Sequence, residues 1–253
     1  MPRRGREKSE TSVYHIILRG VNKQTIFEER EDGKKFLSTL AEYKNISGYK
    51  IYAYCLMSNH IHLLIKEEKE SLEIIMRRIG ARFVHWYNYK YERTGHLFQD
   101  RYKSEAVEDE AYLLNVVRYI HQNPLKAGVV EDIKDYKWSS YLDYMDNKGL
   151  TDIDFVLGHY DTDRKKAKTL FEDFHRKESE VKCLEITERT RIKDSEAIGI
   201  IKELCHVNHC MDLQNIISHE RSQNIKLLKD KGLSTRQISR LTGISRYSIL
   251  KVN

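Results

Sequence analysis

The alternation of apolar and polar positions divides the chain into an N-terminal part that mixes strand-like and helix-like segments and a C-terminal part with helical spacing throughout. Thr11-Ser12-Val13-Tyr14-His15-Ile16-Ile17-Leu18-Arg19 is a β-rich run closed by Gly20, which predicts a first strand. Between Arg30 and Ile46, Phe36, Leu37, Leu40 and Tyr43 recur at helical intervals and Gly48 lies just past the end, which predicts a helix. Two strands follow, Lys50-Ile51-Tyr52-Ala53-Tyr54-Cys55-Leu56 and His60-Ile61-His62-Leu63-Leu64-Ile65, with the turn formers Ser58 and Asn59 closing a hairpin between them. Ser71 opens a long helix with Leu72, Ile75, Met76, Ile79, Phe83, Trp86 and Tyr87 inward. After Gly95, residues 96–107 read as a turn and a strand, and Glu108 to Gln122 as a helix presenting Leu113, Leu114, Val117 and Ile120.

Strand, helix, strand, strand, helix, strand, helix is the order of a split βαβ unit. The expected fold class is therefore α+β: an antiparallel ferredoxin-like or RRM-like sheet of four or five strands, with helices on one face and the other face free for a ligand. From Asp152 the pattern turns helical (Phe155, Val156, Leu157, then Ala167, Leu170, Phe171, Phe174), and Arg176-Lys177-Glu178-Ser179-Glu180 reads as a linker. The expected division is a first domain over residues 1–150, a helical extension and linker over 151–180, and an all-α region over 181–253. Residues 194–217 are helical in pattern, and Asn224 to Lys231 forms a helix end. Ser234 caps a short helix through Leu241, Thr242-Gly243-Ile244 is a tight turn, and Ser245 caps a final helix. This ending resembles a helix-turn-helix with Ile238, Leu241, Ile244 and Ile249 inside and Arg246, Tyr247, Ser248 and Lys251 on the recognition helix.

Charge narrows the partners. Of the 253 residues 32% are charged, and the formal net charge is +6. The positive residues cluster at Arg3 and Arg4, at Arg77, Arg78 and Arg82, and toward the C-terminus, where eight Lys/Arg stand against two Asp/Glu from His219 onward. Clustered positive charge on a mixed surface favours a nucleic acid over other polyanions. The cysteines at 55, 183, 205 and 210 have no disulfide-framework spacing, and no apolar run is long enough for a bilayer span or a signal core. The expectation is a cytoplasmic protein with no membrane partner.

Candidate chemistry concentrates in Met57-Ser58-Asn59-His60-Ile61-His62-Leu63-Leu64-Ile65. Alternation along a strand turns His60 and His62 to one face, as a two-pronged metal ligand, and Ile61, Leu63 and Ile65 to the core. Leu64 stands where a third alternate histidine would be needed, which excludes a histidine-triad nucleotide hydrolase. Four residues apart on one helix, Tyr119 and Asn123 share a face and present a phenol and an amide together. The competing reading makes Tyr119 one of 16 tyrosines and Asn123-Pro124 a helix stop. Cys205-His206-Val207-Asn208-His209-Cys210 offers four zinc-type side chains, but neighbours on a helix diverge by about 100° and no second pair lies at finger spacing, so zinc is not expected.

Four segments read together resemble one family: Met57 to Leu64; Gly95-His96-Leu97-Phe98-Gln99-Asp100-Arg101-Tyr102-Lys103-Ser104; Tyr119-Ile120-His121-Gln122-Asn123-Pro124-Leu125-Lys126-Ala127-Gly128-Val129-Val130; and Trp138-Ser139-Ser140-Tyr141. Over about residues 10–145 the chain resembles the single-tyrosine HUH transposases (IS200-like), in particular the REP-associated tyrosine transposase group. The resemblance implies the HUH nuclease fold and a nuclease that cuts single-stranded DNA near a hairpin through a 5′-phosphotyrosine, releases a 3′-hydroxyl and can rejoin strands. Residue by residue, it makes His60 and His62 metal ligands and Tyr119 the nucleophile. The broader group has glutamine four residues after the tyrosine; Asn123 stands there, so it ligates the metal either directly or through water. The implied ion is Mg2+ or Mn2+, and imidazole ligands tilt the choice toward manganese. DNA contacts are expected from Arg3, Arg4, Arg77, Arg78, Arg82, Arg101 and Lys103, and from Arg246, Tyr247 and Lys251. The expected partners are single-stranded DNA with a hairpin and, through the C-terminal module, duplex DNA; a homodimer is left open. The competing class is a non-catalytic regulator that binds hairpin and duplex DNA with Tyr119 idle.

Overall fold

Every strand-like run of the N-terminal part finds its partner in one sheet. The computed structural model describes residues 7–177, 181, 183–185 and 192–252, and the chain divides into two units, Met1–Ile186 and Thr187–Asn253. In the first unit β1 (Val13–Arg19), β2 (Lys50–Met57), β3 (His60–Lys66) and β4 (Lys103–Ala106) pair antiparallel in the order β2-β3-β1-β4. Interleaved with α1 (Arg30–Ser47), α2 (Leu72–Lys90) and α3 (Glu110–Lys126), this is the split βαβ arrangement. Two short segments lengthen the sheet at its margins. Leu56 N–H donates to Trp138 O (2.8 Å) and Ser140 N–H to Tyr54 O (2.9 Å) beside β2, while Val21 N–H donates to Leu97 O (2.9 Å) and Gln99 N–H to Arg19 O (2.8 Å) at the end of β1. Two of the four family-like motifs are thus sheet margins. Trp138 also explains Gly33 within α1, since a Cβ there would lie 2.6 Å from the indole ring.

The two faces of the sheet follow from the alternation of side chains along the strands. Tyr14, Ile16, Leu18, Tyr54, Leu56, Ile61, Leu63 and Ile65 pack on Phe36 and Leu40 of α1 and on Ile75, Ile79 and Phe83 of α2. Val13, Cys55, Met57 and Leu64 face the other way, onto Val116, Val117 and Ile120 of α3. Helices therefore lie against both faces, whereas one face was expected to be free of them. The physical reason is that Cys55, Met57 and Leu64 make this second face apolar, and the stripe on α3 removes that surface from water.

The helical extension belongs to the same body. Tyr141 and Tyr144 of α4 (Tyr141–Asp146), Ile153, Val156 and Leu157 of α5 (Ile153–Gly158), and Ala167 and Phe171 of α6 (Arg164–Arg176) share a core with α3. Neither expected boundary, 150 or 180, matches a division of the structure, which falls after Ile186. The anchors are polar: Gln122 Nε2 donates to His175 O (2.7 Å) and Lys177 O (3.0 Å), and Arg118 donates to Phe174 O (3.3 Å). His121 Nδ1 meets His175 Nε2 at 3.0 Å, and its Nε2 meets Ser140 Oγ at 2.8 Å, both inside the core. Arg3, Arg4 and residues 178–180 of the expected linker lie outside the described residues.

The second unit is all-α. It contains α7 (Asp194–Leu204), a short 3-10 turn at Cys210–Gln214, α8 (Ser218–Asp230), α9 (Thr235–Thr242) and α10 (Arg246–Lys251) around Ile201, Leu213, Leu228, Ile238 and Ile249. Ser234 accepts from Gln237 N–H (3.2 Å), Ser245 from Ser248 N–H (3.1 Å), and Gly243 turns the chain at φ +71°. The helix expected over 194–217 stops at Leu204, because His206 takes a left-handed conformation (φ +52°). Cys205 and Cys210 point into the core while His206 and His209 are exposed, so the four side chains do not converge. Among the described residues no helix is long and apolar enough to cross a membrane.

Candidate functional site

Register places the histidines. Ile17 lies opposite both His62 on β3 and Lys103 on β4, and His15 lies opposite Leu64 and Glu105. Directly paired residues share a face, so His15, His62, Lys103 and Glu105 form one diagonal patch on the side covered by α3. The His15 and His62 rings stack at 5.3 Å, with His15 Nε2 3.1 Å from His62 Nδ1. His60 and His62 lie 5.1 Å apart, edge to face. His60 Nδ1 donates to Asn59 Oδ1 at 2.7 Å, which leaves its Nε2 available as a ligand atom. The turn residue Asn59 thereby orients the first prong.

Helix α3 supplies the other half. Its start is fixed by Asp109, which accepts from Tyr112 N–H at 2.7 Å. Tyr119 lies against both rings, 5.8 Å from His15 and 5.7 Å from His62. The Asn123 side chain lies close enough to raise the His60 pKa and lower that of Tyr119, and its Nδ2 donates to Tyr119 O at 2.9 Å. The helix expected to end at Gln122 instead continues through Pro124 to Lys126. That last bond gives Asn123 a helical partner despite the proline after it, and Gly128 (φ +65°) turns the chain just beyond. Successive residues of the motif thus divide their tasks: Tyr119 and Asn123 face the sheet histidines, whereas Arg118, His121 and Gln122 hold α6.

Burial dominates the electrostatics. It lowers His15 to about 3 and His60 to about 4, the latter helped by the Arg19 charge, and holds His62 well below its ordinary value with His15 and His60 adding to the effect. All three are neutral near pH 7, the form in which imidazole binds a metal. The Tyr119 phenol is pushed up to about 12, mainly by burial and then by Glu185, Cys183 and Glu105, so it is protonated at rest. Lys126 Nζ sits 4.7 Å from the centroid of its ring. Among the described residues no group of three or more His, Cys, Asp or Glu is placed to hold a metal. Two neutral imidazoles beside an amide and a phenol nevertheless fit a borderline divalent cation that takes its remaining ligands from water or a phosphate.

The basic residues separate. Arg101 and Lys103 are exposed, and Lys103 is on the histidine face. Arg77, Arg78 and Arg82 sit on α2, behind the opposite face; Arg78 pairs with Glu70 at 2.8 Å and Arg82 with Glu42 at 3.8 Å. In the second unit Arg246, Tyr247 and Lys251 are exposed, and Lys251 Nζ lies 4.5 Å over the Tyr247 ring. Three neighbours of the site were not singled out by sequence reasoning: His15, Asn59 and Lys126. The signal for His15 was a lone imidazole in the apolar run Val13-Tyr14-His15-Ile16-Ile17; its partner became visible only with the β1–β3 register.

A ferredoxin-like antiparallel sheet with a His-x-His pair on a central strand, closed by a helix bearing tyrosine, is the fold that the resemblance to the single-tyrosine HUH group implies. Residues 8–123 match the family model described as "Transposase IS200 like", so that region of the chain is similar to the IS200-like transposases. A Haemophilus influenzae (strain Rd) protein provisionally named a REP-associated tyrosine transposase is 29% identical in an alignment over 105 residues that covers 37% of this chain and 59% of that relative. The chain thus spans less than two thirds of the relative's length. The structure of a REP-associated tyrosine transposase bound to a REP hairpin has a similar fold, with TM-score 0.51 and 19% identity over 61% of this chain and 90% of that one. A Deinococcus radiodurans R1 protein provisionally described as a transposase aligns at TM-score 0.34 and 15% identity, over 47% of this chain and 96% of its own.

Proposed function

We propose that the protein is a metal-dependent single-strand DNA endonuclease and strand transferase that acts beside DNA hairpins. The observation that carries this reading is that His60 and His62 of β3 and Tyr119 and Asn123 of α3 come together on one face of the sheet. Tyr119 Oη attacks the scissile phosphorus; the Tyr–O–P bond forms, the bond to the 3′-oxygen breaks, and the phenol's proton is balanced by one taken up at the departing 3′-hydroxyl. One phosphodiester replaces another, so the step reverses when a 3′-hydroxyl returns, and strands can be rejoined. His60 and His62 would hold Mg2+ or Mn2+, with Asn123 as third ligand or acting through water, and the ion would neutralise phosphate charge. Lys126 offsets the charge that develops on the phenolate, and the enclosing core of α3 holds the tyrosine in one orientation. Lys103, on the histidine face, and the exposed Arg101 suit phosphate contacts.

The hairpin as partner is supported by the fold shared with a REP-associated transposase described as bound to a REP hairpin. The second unit is proposed to bind duplex DNA through Arg246, Tyr247 and Lys251 on α10, the second helix of a helix-turn-helix. Incubation with single-stranded hairpin oligonucleotides and Mn2+ tests the enzyme reading, with an adduct that survives denaturation as the expected product. Hairpin binding with no adduct under any divalent ion would leave the regulator reading instead.

A further inference from the structure

The contact between His15 and His62 has a stricter meaning than proximity. Both rings are buried, and at 3.1 Å one nitrogen must donate while the other accepts. If His15 Nε2 donates, His62 carries its proton on Nε2, and the clamp loses its second prong. If His62 Nδ1 donates, its Nε2 lone pair is bare. The first prong is already set in this second sense, because Asn59 Oδ1 can only accept from His60 Nδ1. His15 Nδ1 has no hydrogen-bond partner among the described residues. It is unpaired in either tautomer, as donor or as acceptor, so the surrounding interior does not decide between them.

We infer that His15 is the positioning residue of the site: it accepts the hydrogen bond from His62 Nδ1, and a divalent cation at His62 Nε2 selects that tautomer over its alternative. This rests on the reading of His60 and His62 as a metal clamp. Outer partners of this kind fix the orientation and tautomer of a ligating histidine, and their loss weakens metal binding by roughly 10- to 100-fold. The position of His15 on the central strand β1, diagonal to His62, holds the acceptor rigidly, as Asn59 in the β2–β3 turn does for His60.

The test is Mn2+ binding by the full chain without DNA, followed by electron paramagnetic resonance. His15→Leu, close in size and apolar, is expected to weaken Mn2+ binding by about 10- to 100-fold. His15→Gln, whose carbonyl can accept from His62 Nδ1, should recover most of that loss. Long-range proton–nitrogen spectra with Mg2+ should show both His62 and His15 protonated at Nδ1. Wild-type affinity in a folded His15→Leu, equal loss in the Leu and Gln variants, or a His62 protonated at Nε2 would each overturn the inference. His60→Ala separates it from the reading beneath it. Lost binding there with His15→Leu unchanged removes only His15's role, whereas unchanged binding in His60→Ala removes the clamp and the inference with it.

Discussion

The two faces of the sheet are made by alternate residues of the same strands, yet they are built for different ends. Toward α1 and α2, β3 presents Ile61, Leu63 and Ile65, and the strand side chains buried there are aliphatic or aromatic. Toward α3 it presents His60, His62 and Leu64, and the buried groups on that side include His15, His62, His121, His175 and Ser140. One face is a platform whose packing holds the strands, and the other uses that rigidity to fix imidazoles and a phenol. A site mounted on strands keeps tighter geometry than one on loops. The cost is polar groups placed in a nearly dry interior, which need partners.

The largest effect expected on the histidine face is from Tyr119→Phe, which removes only the attacking oxygen. Covalent adduct should fall to background on denaturing gels while hairpin binding stays nearly intact; a persisting adduct would take the nucleophile elsewhere. His60→Ala and His62→Ala should likewise end cleavage, and Asn123→Ala should weaken it less if the amide acts through water. Equal loss in all three variants would make Asn123 a direct ligand.

On the other face the effect shifts from chemistry to stability. Phe36→Ala, at a fully buried position against Phe83, should cost about 3–5 kcal/mol in urea unfolding. Activity should fall only with the folded fraction. A selective catalytic loss at full folding would blur the contrast between the faces.

Acid provides a subtler probe. Burial holds His175 down to about 3 and His121 well below its ordinary value near 6.5. The unfolded chain therefore takes up protons that the folded one refuses. Their contribution is complete above pH 6.5 and lost as the pH falls from 6.5 toward 3, by up to about 1.4 kcal/mol per pH unit for each histidine. Urea midpoints measured across that window should decline, and less steeply in His175→Gln; a flat profile would mean that these rings do not stay neutral.

The smallest effect on cleavage is expected from removing residues 187–253. A chain ending at Ile186 keeps α6 and the buried Cys183, so it should still cut a short hairpin. It should bind DNA with flanking duplex more weakly and with a shallower salt dependence. Arg246→Ala combined with Lys251→Ala should reproduce much of that defect and reduce the salt slope by about 2, one unit for each phosphate no longer neutralised. An unchanged slope would remove α10 from the interface.

Local periodicity determined a good deal. It turned His60 and His62 to one side, placed Tyr119 and Asn123 on one face of a helix, and marked the caps at Ser234 and Ser245, because each of these rests on residues within a few positions of one another. Four short motifs, none informative alone, pointed to the IS200-like transposases. Tertiary structure decided the rest. That α3 closes over the histidines, that His15 meets His62, that Arg77, Arg78 and Arg82 sit behind the sheet, and that residues 151–177 belong to the first unit all depend on strand register and on which face a helix covers. Those choices are set by pairings between segments distant in sequence, such as β1 with β3 and His121 with His175, and no local pattern carries them.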